Sequence, residues 1–126
     1  MARFTLLVRR SPYVANGHRS ALAFAQACLR AGHTIQRVFF YQDAVFAGLA
    51  QQAPQGQTSV EQQWLAVAEQ GVELQLCIAN ALRRGIFDQQ EADRYGQQAT
   101  LQSHYVLRGL GEVASAMTDS DRIVEF

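Results

Sequence analysis

Cysteine is scarce in this chain: its 126 residues hold only Cys28 and Cys77. The two lie too far apart in sequence to form a CxxC redox pair or half of a zinc site. A chain of this length buries a sufficient core without disulfides or metals. Long apolar runs are absent as well. No stretch approaches the roughly 18 residues that a membrane span needs. The N-terminus MARFTLLVRR carries charges inside a strand-like run and lacks the apolar segment and small-residue cleavage site of a signal peptide. These absences predict a cytoplasmic protein with reduced thiols and no membrane association. Neither sign of charge dominates, since eleven basic side chains balance eleven acidic ones. There is thus no electrostatic reason to expect nucleic acid or an anionic surface as the main partner.

Phosphate-binding glycines are missing too. The loop RSPYVANGHRS follows the first strand, where a phosphate cradle would lie, but it has a single glycine, Gly17. It matches neither GxGxxG nor GxxxxGK[ST], and no nucleotide or flavin cofactor is expected. His18, His33 and His104 have no acidic or cysteine neighbour at ligand spacing, so no metal site is expected. His33 follows the helix-ending Gly32 and reads as a turn residue. His104 would reach a site only if residues 101–108 folded beneath it.

Regular alternation of strand and helix patterns is what the chain does have. RFTLLVR (3–9), TIQRVFFY (34–41), VELQLC (72–77), a short segment at 105–107 and DRIVEF (121–126) read as five strands. Helical spacing of apolar residues marks 18–30, through Ala21, Phe24, Ala25, Cys28 and Leu29, and 60–69, through Val60, Trp64, Val67 and Ala68. Shorter helices are predicted at 43–50, 79–84, 88–96 with Asp88 as N-cap, and 109–118. QQAPQGQTS (51–59) reads as a loop. The pattern predicts one three-layer α/β domain over residues 1–126, its five-stranded, mostly parallel sheet carrying helices on both faces. VFFYQDAVFAGLA (38–50) is so dense in apolar residues that part of it is expected at a subunit interface. Trp64 is expected in the core.

The stretch ELQLCIANALRRGIFD (73–88) places Cys77 where a strand hands over to a helix. In open α/β sheets function collects at the carboxyl ends of strands. The unpaired N–H groups and dipole of a helix N-terminus favour thiolate over thiol. Small neighbours at 78–81 leave room for a large partner to approach. The plainer alternative is a buried cysteine acting as a small hydrophobe. That reading fits Cys28, which falls on the apolar face of the first helix. Arg83 and Arg84 lie about six residues past Cys77, roughly 9 Å of helix rise. They are expected to cap carbonyls and to pair with acids such as Asp88. Pro12 and Tyr13 are expected to form a rim beside Cys77.

Three stretches together, HTIQRVFFYQDAV, LQLCIANALRRGIFD and GLGEVASAMTDSDRIVEF, resemble the DsrE-like sulfurtransferase family along the whole chain. The resemblance implies a DsrE-like, flavodoxin-like topology with Cys77 as the catalytic residue; Cys28, the histidines and Trp64 inherit no role. It implies a relay in which Cys77 takes sulfane sulfur as a persulfide from a TusA-like donor. The sulfur passes to a TusE-like acceptor for 2-thiouridine formation at the tRNA wobble position. It further implies a heterohexamer with TusB-like and TusC-like subunits, without direct tRNA binding. A sulfur-oxidation relay of the same family and a non-catalytic structural subunit are the alternatives.

Overall fold

The computed structural model describes residues 1–51 and 59–126; most of the predicted 51–59 loop lies outside the described residues. Among the described residues there are five strands: β1 (Arg3–Val8), β2 (Thr34–Phe40), β3 (Glu73–Cys77), β4 (Tyr105–Arg108) and β5 (Arg122–Glu125). The helices are α1 (Arg19–Arg30), α2 (Val60–Ala68), α3 (Ile78–Arg83), α4 (Gln89–Tyr95) and α5 (Gly111–Asp119). The expected helix at 43–50 is instead a 3₁₀ turn over Gln42–Gly48.

The strands form one sheet in the order β4-β3-β2-β1-β5, with every strand pairing parallel. Flavodoxin itself has the order 2-1-3-4-5. The winding is of the same kind, but here the direction of travel reverses at β1. Right-handed crossovers then put α1, α2, α3 and α4 on one face and leave α5 on the other. The buried clusters agree with this division. The large one joins Leu6, Val8, Val38, Phe40, Leu74 and Leu76 to Ala21, Ala25, Trp64 and Ala81 of the helices. The small one contains Leu7, Phe39 and Cys77, with Tyr41 and Val113 packed against it.

Local signals explain most helix ends. The Asp88 side chain accepts from the Glu91 N–H at 2.8 Å, and Gly96 closes α4 in the left-handed region at φ 64°. Asp88→Ala removes that cap, and an N-cap typically contributes about 1 kcal/mol. Urea denaturation should show a loss of that size; an unchanged midpoint would mean α4 is held by its packing alone. Arg30 sits in the last turn of α1, as the helix dipole favours.

The core accounts for much of the apolar density of residues 38–50. Phe39, Phe40, Ala44, Val45 and Ala47 are buried within this chain. Most of the segment fills the core where β2 turns over, while Tyr41, Phe46 and Leu49 stay partly exposed. The large exposed apolar side chains include Leu110 and Met117, in and beside α5. Among the described residues no helix is long and apolar enough to cross a membrane.

Candidate functional site

Period-two alternation in β3 puts Leu74 and Leu76 on the α1–α2 side and Glu73, Gln75 and Cys77 on the α5 side. Cys77 is the last residue of β3 and the N-cap of α3, with φ −58° and ψ 115°. The handover from strand to helix is therefore immediate, one residue earlier than the sequence pattern suggests. The thiol makes no capping hydrogen bond. It clusters with Leu7 and Phe39, Tyr41 and Val113 pack against that cluster, and only 4% of the residue is exposed. The expected open approach for a large partner is not there: the residue is buried, and Val113 of α5 and Tyr41 after β2 pack against the cluster it belongs to.

That turn is pinned to α3. Gln42 takes a positive φ of 53°, uncommon for a side-chain-bearing residue, and its N–H donates to Asn80 Oδ1 at 2.6 Å. Tyr41, just before it, donates its hydroxyl to Glu125 Oε2 at 3.3 Å. Burial first, and then the Glu125 charge, push the Tyr41 phenol above its ordinary range.

The remainder of this sheet face is charged. Arg108, the register partner of Cys77 on β4, reaches Glu73 at 3.3 Å and Glu112 at 3.4 Å. Arg37, nearly buried, meets Glu112 at 3.8 Å and Asp119 at 3.7 Å and donates to Thr5 Oγ1 at 3.2 Å. Gln75 donates to Glu73 at 2.9 Å. Sequence reasoning missed this network. The signal was available in period two: Arg37 alternates with Val38, and Glu73 and Gln75 alternate with leucines, so the polar members share the face of Cys77.

Other expected neighbours lie elsewhere. Tyr13 packs on Phe46, and Pro12 lines a cleft of about 330 Å³ with Asn16, His18, Leu22 and Val60; they form no rim on Cys77. His104 precedes β4, whose Tyr105 pairs with Leu74, so it sits toward the opposite end of the strand from Cys77. Desolvation holds the His104 imidazole below its usual pKa, against the opposing pull of Glu61 and Glu69. His33 is a turn residue, its Nδ1 accepting from the Ala2 N–H at 3.0 Å. Arg84 caps the Asn80 carbonyl at 3.0 Å as expected, but its acid is Asp43 at 2.9 Å, not Asp88. Asp88 is engaged in capping α4.

Cys28 is buried on α1 within the large cluster, where desolvation pushes its thiol up. It lies on the other face of the sheet from Cys77, so the sheet stands between the two thiols. Trp64 is fully buried. Among the described residues no group of three His, Cys, Asp or Glu side chains is placed to hold a metal ion. The arrangement thus offers one sulfur nucleophile in an apolar pocket at a strand end, with no second thiol on its side of the sheet.

The family model described as DsrE/DsrF-like matches residues 2–126. A Sulfurtransferase TusD homolog of Vibrio parahaemolyticus is 43% identical over 126 residues, covering 98% of this chain and 96% of its own. Sulfurtransferase TusD of Serratia proteamaculans is 41% identical, with both chains covered in full. Among solved structures, the ychN protein from E. coli superposes with a TM-score of 0.81 at 21% identity, covering all of both chains. At that identity the likeness speaks to the fold.

Proposed function

Because this chain belongs to the DsrE/DsrF-like family, we propose that it is a sulfurtransferase whose Cys77 carries sulfane sulfur as a persulfide. One observation carries the reading: a lone thiol ends β3 at the carboxyl edge of a parallel sheet, in a chain about 40% identical over its length to proteins named sulfurtransferases. The chemistry asks for little else. The Cys77 thiolate attacks the outer sulfur of a donor persulfide, the new S–S bond forms, and the donor leaves as its own thiolate. An acceptor thiolate then attacks that sulfur and Cys77 leaves as thiolate. No net oxidation occurs, and no metal or organic cofactor takes part.

The finer proposal names a TusA-like donor and a TusE-like acceptor, serving 2-thiouridine formation at the tRNA wobble position. The setting is a cytoplasmic hetero-oligomer with TusB-like and TusC-like subunits. The near-full-length similarity to TusD proteins supports this branch. The burial of Cys77 favours a second reading, a structural subunit with an inert thiol.

One experiment separates the two. The chain, alone and with its sister subunits, is incubated with a persulfidated TusA-like donor, and the Cys77 peptide is read by mass spectrometry. A transferase yields a peptide heavier by one sulfur atom, and that mass is lost on adding a TusE-like acceptor. A Cys77 peptide that stays unmodified in the complete complex would establish the structural reading.

A further inference from the structure

If Cys77 exchanges sulfur as proposed above, a residue only 4% exposed must become reachable to another protein's sulfur. We infer that the segment leading into α5 and its first turn, residues 109–113, is a gate over Cys77, closed in the free chain and opening about the C-terminal end of the helix.

The apolar cluster that buries Cys77 leaves few moving parts. Leu7 and Phe39 belong to β1 and β2, each paired on both sides within the sheet, and neither yields without opening the sheet. Tyr41 is tied at both ends, its N–H to the Val8 carbonyl at 3.0 Å and its hydroxyl to Glu125. Val113 belongs to α5, which has a single buried residue, Ala116.

The two ends of α5 are held unequally. At the C-terminal end Ser120 donates to Gln36 Oε1 at 2.7 Å, which leaves the Thr5 hydroxyl to donate to Ser120 at 2.7 Å. The Asp121 N–H then donates to the Arg3 carbonyl at 2.8 Å. The N-terminal end has no side-chain cap. Beyond the packing of Val113, its ties to the sheet are the Glu112 ion pairs, at 3.4 Å to Arg108 and 3.8 Å to Arg37. Such partly exposed pairs hold weakly.

The approach to this end is Gly109-Leu110-Gly111. A Cβ at either glycine would meet nothing within 4 Å, and neither has a positive φ. Packing and backbone handedness therefore do not require glycine here. Backbone freedom is what the pair supplies, at the end that must move.

The test reads alkylation of Cys77 in the intact chain by iodoacetamide, peptide by peptide, across low urea concentrations. A gate gives a slow rate with almost no urea dependence, because local opening exposes little surface. Val113→Ala should raise the rate about tenfold and Glu112→Gln by up to about fivefold, the ion-pair range. Gly109→Ala with Gly111→Ala should lower it severalfold while the chain stays as stable or gains stability. A wild-type rate equal to that of an unfolded peptide would overturn the gate. So would rates that follow global unfolding in urea, or glycine variants that react like wild type. Because alkylation needs no donor, failure of the gate is distinguishable from failure of sulfur transfer, which the persulfide peptide reports.

Discussion

Replacing Cys77 with serine or alanine is expected to abolish sulfur loading, whereas Cys28→Ser keeps most of it. The loss should be complete because the reaction is a displacement at sulfur. A serine hydroxyl is essentially never ionised near neutrality and has no comparable affinity for a sulfane sulfur. An alanine has nothing to offer. Cys28 is spared on two grounds. Its thiol is pushed up by burial, which diminishes the thiolate that does the chemistry. It also lies in the α1-side cluster, across the sheet from Cys77. That separation protects the carried sulfur, since a thiol within bridging distance would attack the persulfide and expel the sulfur as sulfide. Both substitutions at 77 are needed. A serine hydroxyl buried without a partner costs roughly 1 to 3 kcal/mol, so loss in the serine variant alone does not separate a missing nucleophile from unfolding. The alanine variant avoids that penalty. Radiolabelled sulfur retained by a folded Cys77→Ala chain would remove Cys77 from the reaction.

The sequence made the strand end at Cys77 legible because two periodicities meet there: leucines alternate through 74 and 76, and the helical run begins at once. The parallel sheet was legible for a similar reason, since helices intervene between strands. The position of the lid was not. Gly109–Thr118 reads as one more amphipathic segment, and nothing local says which sheet face it crosses. That follows from the reversal of winding at β1, a property of the whole chain. How much of the segment 38–50 enters the core was not legible either. Sequence does not show that Gln42–Gly48 tightens into a 3₁₀ turn and puts Ala44, Val45 and Ala47 into the core. The role of His18 was equally hidden, because its partners are a backbone carbonyl eight residues back and an indole 46 residues on.

That histidine sets the expected response to acid. His18 is 1% exposed. An indole N–H can only donate, so the 3.0 Å contact from Trp64 Nε1 makes His18 Nδ1 an acceptor. Nε2 therefore carries the proton and donates to the Arg10 carbonyl at 2.7 Å. A second proton would set N–H against N–H at Trp64 inside the core. Desolvation accordingly lowers the folded-state pKa from 6.5 to about 4, with the Arg10 hydrogen bond acting the other way. Above pH 6.5 neither folded nor unfolded chain protonates this ring, and its contribution is constant. Between there and about pH 4 the unfolded chain takes up a proton that the folded chain refuses, so stability falls as pH falls. Below that window both states are protonated and the effect levels off. At ~1.4 kcal/mol per unit the loss is about 3 kcal/mol, a large part of an ordinary domain's 5–15 kcal/mol or so. His104, also lowered by desolvation, adds in the same direction. Urea unfolding at a series of pH values should show this decline in wild type. His18→Gln should be less stable than wild type at pH ~7 but much flatter toward acid, because an amide can accept from Trp64 and donate to Arg10 without titrating. A wild-type curve that is level across the window, or a glutamine variant with the wild-type slope, would show that acid acts on other groups.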